Sequence, residues 1–137
     1  MKRDKCDIVF STLVRERSDW TCEVCGKVYP EGHRAGLECS HFFGRARKAT
    51  RLHPLNAAAH CTHCHFHLGG NPIEFSEWIE GHLGKEKADY LRLLANSICK
   101  KTKAYKELEY QHLKSELERI RSLRKQGVTG RIDFEPY

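Results

Sequence analysis

Two short cysteine pairs constrain this chain more than anything else in it. Cys22 and Cys25 are separated by two residues, as are Cys61 and Cys64, and the pairs lie about 35 residues apart. A turn of this kind aims two thiolates at one point. Two such turns complete the tetrahedral sulfur shell that structural Zn²⁺ prefers. The alternative, a disulfide framework, belongs to exported proteins, and nothing near Met1 reads as a signal peptide. The segment around the pairs is therefore expected to fold around a metal ion, which in a small domain supplies folding free energy directly.

The rest of the chain arranges itself around that module. With 137 residues there is room for one compact domain and an appendage. Residues 1–20 form a lead-in, with Ile8, Phe10, Leu13, Val14 and Trp20 as candidate core residues. Residues 21–83 are dense in Cys, His and Gly and make the metal-organised core, with Asn71-Pro72 opening a helix inside it. There Phe75, Trp78 and Ile79 share a helical face. Residues 84–127 read as a basic helical extension. Leu91, Leu94 and Ile98 recur at helical spacing within Asp89–Cys99. Lys103–Lys125 contains no Gly or Pro, carries the stripe Leu113, Leu117 and Ile120, and stops before Gly127. Residues 128–137 read as an irregular tail. The stripe has two readings, packing on the chain's own domain or pairing with a second copy in a homodimer. The fold class expected is α+β.

Charge narrows the partner. The formal net charge is +6, but between Cys39 and Ile73 there is no Asp or Glu, while Arg45, Arg47, Lys48, Arg51 and six histidines fall there. An acid-free basic segment of this kind attracts nucleic acid. No apolar run reaches the ~20 residues of a membrane helix, so a soluble cytoplasmic protein without a membrane partner is expected.

Between and just after the knuckles the sequence reads Glu38-Cys39-Ser40-His41-Phe42, then Asn56 four intervening residues before Cys61, then His65 directly after Cys64. Histidine, asparagine and histidine in this register with two knuckles resemble the HNH endonucleases. Within them the run from Glu38 to Phe42, Thr50-Arg51 in the basic loop and Leu68-Gly69-Gly70-Asn71 are similar to the phage NinG (Rap) recombination nucleases. The knuckle spacing is also similar to that of phage endonuclease VII. The resemblance covers residues 20–83.

It implies a zinc-stapled ββα-metal (HNH) core with a mostly helical C-terminal extension, and a phosphodiester hydrolase that cuts DNA in a bacterial host cell. By the resemblance, Cys22, Cys25, Cys61 and Cys64 hold structural Zn²⁺. His41 is the general base and Asn56 braces its loop. His65, with Ser40 before the base, binds a catalytic Mg²⁺ or Mn²⁺. Arg45, Arg47, Lys48 and Arg51 hold phosphates. Ser40 stands where many members carry Asp or His, and Gly69 stands one helical turn after His65 where some carry a ligand. The cation therefore keeps more waters or recruits His63 or His67. The substrate implied is branched DNA in phage or prophage recombination. Linear or nicked duplex, and a non-catalytic zinc module that only binds nucleic acid, are the alternatives.

Overall fold

The computed structural model describes residues 2–137 and, among them, five α-helices and one two-stranded sheet. The chain runs α1 (Lys5–Arg17), β1 (Leu37–His41), a 3-10 turn (Pro54–Asn56), β2 (Ala57–Cys61), α2 (Thr62–Gly69), α3 (Pro72–Leu83), α4 (Lys85–Ala95) and α5 (Lys103–Lys125). The fold class is α+β, as read from the sequence.

The lead-in is a full helix, started by a reciprocal cap. The Asp4 carboxylate accepts from the Asp7 backbone N–H, and the Asp7 carboxylate accepts from that of Asp4. Its apolar positions Phe10, Leu13 and Val14 are fully buried, whereas Ile8 falls on the other side and is 48% exposed, against the sequence expectation. After Ser18 the chain turns through Asp19 and Trp20, both at φ 56. Left-handed backbone costs a non-glycine residue roughly 1–2 kcal/mol. Burial of the Trp20 indole and a bond from the Trp20 backbone N–H to the Arg15 carbonyl at 2.9 Å hold it there. This turn delivers the first knuckle to the sheet.

Strands β1 and β2 pair antiparallel, with Leu37 opposite Cys61 and His41 opposite Ala57. Alternation along β1 puts Glu38 on the face towards α2 and α3, and Cys39 and His41 on the face towards α1. The His41 ring meets Phe10 of α1 at 5.8 Å, while His60, opposite Glu38, meets Trp78 of α3 at 4.7 Å. The triple alanine of β2 is buried throughout.

Leu113 and Ile120 of α5 are fully buried and share one apolar cluster with α1, both strands and Cys22, Cys61 and Cys64, with Leu117 packed against it. The stripe is thus used within the chain, the first of its two readings. The tail has no regular structure, yet Ile132 and Phe134 enter the same cluster, and Ile132 N–H donates to the Arg17 carbonyl at 3.1 Å. Helix α4 ends at Ala95, so Ile98 lies beyond it and is 96% exposed, contrary to the periodic reading. Phe75, Trp78 and Ile79 are half-buried on one face of α3. No helix among the described residues is long and apolar enough to cross a membrane.

Arg17 is the least expected member of the interior. It is 2% exposed and forms no ion pair with a carboxylate among the described residues. Instead Nη1 donates to the Pro54 carbonyl at 2.7 Å and Nη2 to the Ala57 carbonyl, clamping α1 to the turn that leads into β2. Burial pulls its pKa down to about 10, so it stays charged at neutral pH. Arg17→Met removes the donors and strands two buried carbonyls. We expect a loss of roughly 3 kcal/mol in unfolding free energy, read as a shift in urea midpoint of the zinc-loaded protein. A midpoint equal to wild type would show that the clamp contributes nothing net.

Candidate functional site

The first knuckle is a tight turn closed by backbone bonds: Cys22 N–H donates to the Lys27 carbonyl at 2.8 Å and Gly26 N–H to the Cys22 carbonyl at 2.9 Å. Gly26 sits at φ 80, a conformation open to glycine at no steric cost. The second knuckle spans the junction of strand and helix. Cys61 ends β2 and caps α2, its sulfur accepting from Cys64 N–H at 3.4 Å, and Cys64 lies in the first turn of α2.

The four Sγ atoms lie within 4.8 Å of one another. Cys25 and Cys61 are 3.8 Å apart, the edge of a tetrahedron with Zn–S bonds of about 2.3 Å. Burial opposes ionisation of Cys22, but backbone N–H groups of Cys25, Cys61 and Val24 outweigh it and bring the thiol down to about 7. Four converging sulfurs, one already poised as thiolate, fit a structural Zn²⁺. They are the one group of three or more metal-ligating side chains so clustered among the described residues.

Some way along the same strand–helix junction lies a cavity of about 440 Å³. Its walls come from four parts of the chain: Arg3, Asp7, Ser11 and Arg15 from the N-terminal side, Glu38, Cys39 and His41 from β1, Arg45 from the loop, and His65 from α2. His41 and His65 thus share one cavity, as their motif register suggested.

Of the two imidazoles, His65 has a carboxylate partner, its Nδ1 lying 2.9 Å from Glu38 Oε1. A carboxylate only accepts, so Nδ1 donates, and in the neutral ring Nε2 is the nitrogen with the lone pair. His41 Nε2 is buried without a hydrogen-bond partner among the described residues, so it is not the ring nitrogen open to the cavity. Burial first, and the Arg45 cation second, push the His41 pKa below its ordinary 6.5, so the ring is neutral at pH 7.

Asn56 is fully buried and does what its position suggested. Its Oδ1 accepts from Phe43 N–H at 2.8 Å and its Nδ2 donates to the Phe43 carbonyl at 2.9 Å, while Phe42 N–H donates to the Asn56 carbonyl. Three bonds lock the loop that leaves His41. Ser40 does not reach the cavity: it is fully buried, its Oγ has no partner, and it lies off the cavity wall. Strand alternation turns it away from His41, and the polar group that meets His65 is Glu38, two residues earlier. His63 and His67 are also elsewhere, exposed on the outer side of α2, with His67 Nε2 on Glu74 at 2.9 Å.

The basic loop divides. Arg45 lines the cavity. Arg47 ties the loop to the end of α4 through the Ala95 carbonyl and the Asn96 side chain. Lys48 is exposed. Arg51 is ion-paired to Asp7 of α1 at 2.5 Å, with 16% of its side chain exposed. That pair is structural, so Arg51 does not present itself to a phosphate.

Sequence reading missed Glu38, Arg3 and Arg15, while His60 is the packing residue it was read as. A signal for the α1 residues exists: Arg3, Asp7, Ser11 and Arg15 recur every four residues, a polar stripe beside the apolar one. His60 is fully buried behind His65, and burial brings its pKa down to about 4. It forms part of the packing with Trp78 and Phe75. Comparison with protein-family models, with curated proteins and with solved structures gives no match for this chain.

Proposed function

We propose that this chain is a metal-dependent DNA endonuclease of the HNH type, held in shape by a structural Zn²⁺ in the four-cysteine cluster. One observation carries the reading: His41 and His65 line one cavity, His65 with Nδ1 on Glu38 and His41 with its charged form disfavoured by burial and by Arg45. A neutral imidazole in a basic pocket suits a general base that must work near pH 7. The His41 ring takes a proton from water as the water oxygen attacks phosphorus. The P–O3′ bond breaks and the leaving oxygen takes a proton from solvent, giving a 5′-phosphate and a 3′-hydroxyl. His65 Nε2 would hold a catalytic Mg²⁺ or Mn²⁺, with Glu38 orienting the ring, while Ser40, the ligand expected from the sequence, does not reach the cavity. When bound, the cation would supply charge neutralisation at the phosphate. Asn56 fixes the backbone on which His41 rides.

The substrate class we favour is branched DNA, and two incisions would suit a homodimer assembled through a surface other than the buried α5 stripe. The test is cleavage of labelled Holliday-junction and linear duplex DNA with Mg²⁺ or Mn²⁺, wild type against His41→Ala. Metal-dependent cutting that disappears in the variant is the expected result, with the junction cut faster than the duplex. The inaccessibility of Ser40 favours one rival, a silent zinc module. Binding of both DNAs without cutting under either metal would establish that rival.

A further inference from the structure

Arg15 is a guanidinium in an unusual position. It is 7% exposed, in the wall of the His41 cavity, and makes no ion pair with any described residue. Its Nε donates to the Leu37 carbonyl at 2.8 Å, which fixes the plane of the group against β1. Its Nη1 has no hydrogen-bond partner among the described residues. Burial, and after it the Arg34 and Arg3 cations, disfavours its charge. A buried cation with an unsatisfied donor is costly unless something completes it.

The surroundings say what completes it. Arg3 and Arg45 line the same cavity. The acids there are already engaged: Asp7 is ion-paired with Arg51, and Glu38 is bonded to His65. Three arginines thus line a space large enough for a phosphodiester beside His41 and His65, with Arg3 also held to Ser11 Oγ at 3.0 Å. A planar guanidinium fork matches two oxygens of one phosphate better than any other side chain does. A chain that needed only surface affinity for DNA would place such arginines on exposed loops, as Lys48 is placed.

We propose that Arg15, flanked by Arg3 and Arg45, is the group that grips the reacting phosphate in this cavity, and that Arg47, Lys48 and Arg51 of the acid-free loop do not. The inference deepens the nuclease reading and rests on it for the reaction, although phosphate binding itself is testable without cleavage.

The probe is inorganic phosphate, titrated into the zinc-loaded full chain without added Mg²⁺ or Mn²⁺ and followed by NMR. The Arg15 Nε–H and His41 ring signals are expected to move together and saturate. Arg15→Lys keeps the charge but loses the fork, and affinity should fall on the order of tenfold, the worth of one charge-assisted pair. Arg45→Gln, a partly exposed position, should weaken binding by a smaller factor with the fold intact, and Lys48→Gln should change nothing. Wild-type phosphate affinity in both Arg15→Lys and Arg45→Gln would overturn the proposal. So would phosphate shifts confined to Arg47, Lys48 and Arg51. Phosphate uptake that depends on Arg15 in a protein that cuts no DNA would remove the nuclease reading and leave this one standing. Cutting by Arg15→Lys at the wild-type rate, with wild-type phosphate affinity, would do the reverse.

Discussion

Stripping zinc from this protein, or replacing Cys61 with alanine, is expected to abolish the fold outright. Structural zinc in small cysteine sites contributes about 10–16 kcal/mol, against a total stability of about 5–15 kcal/mol for an ordinary domain. The chain depends on the ion more than size alone suggests, because the ligands sit where elements meet. Cys61 is both the end of β2 and the N-cap of α2, and its backbone N–H donates to Cys22 sulfur at 3.2 Å. Losing the metal therefore releases the strand–helix junction and the Trp20 turn together, and the small sheet has no second way to hold them. Far-UV circular dichroism and zinc content by mass spectrometry should fall in step during chelation, with one zinc per chain at the start. Cys99→Ala, a thiol outside the cluster, should leave both unchanged. A native spectrum in zinc-free protein would end this account of the cysteines.

The parts of the molecule that were legible in sequence are those set by local chemistry. Two CxxC turns converge because the turn geometry leaves the thiols little choice. Pro72 starts α3, and α5 runs from Lys103 to Lys125, because capping and uninterrupted helical spacing are local signals. His41, Asn56 and His65 come together because they are tied in register to the second knuckle, so placing the cysteines places them as well.

What sequence could not give is which side chains meet across long stretches of chain. The acid-free loop looks uniformly available for phosphates, yet Arg51 is claimed by Asp7, 44 residues earlier, and Arg47 by the end of α4, 48 and 49 residues later. Glu38 meets His65 across 27 residues, and only the strand register decides that Glu38 and not Ser40 faces it. Ile8 and Ile98 were read as interior because periodicity tells which residues share a face, not which face finds a neighbour. Ile132 and Phe134 carry no periodic signal at all. Their burial comes from a tail that is held by a backbone bond to the end of α1 and by the Arg119 side chain of α5, which donates to the Asp133 carbonyl.

Replacing His41 with alanine should reduce the rate of DNA cutting by 10²–10⁴-fold, the usual worth of a positioned general base. Zinc content should be unchanged, since the ring touches no cysteine of the cluster. His41→Gln, which preserves more of the contact with Phe10, serves as the second variant should the alanine lose stability. The pH profile is the sharper measurement, because the fold fixes its sign. His41 is needed neutral, and burial together with Arg45 holds its pKa below 6.5. Single-turnover cutting at saturating DNA should therefore rise with pH, bend below 6.5, and be level in this limb from there upward. Arg45→Gln removes a cation that disfavours the imidazolium. The His41 pKa should then climb and carry the bend to higher pH, whatever the weaker hold on phosphate does to the level rate. An acid limb centred well above 6.5 in wild type, or one that stays put in Arg45→Gln, would take the general base away from His41. The zinc cluster would be untouched by that result, but the cavity would then need another acceptor, and His65 Nε2 is the remaining lone pair in it whose tautomer the structure fixes.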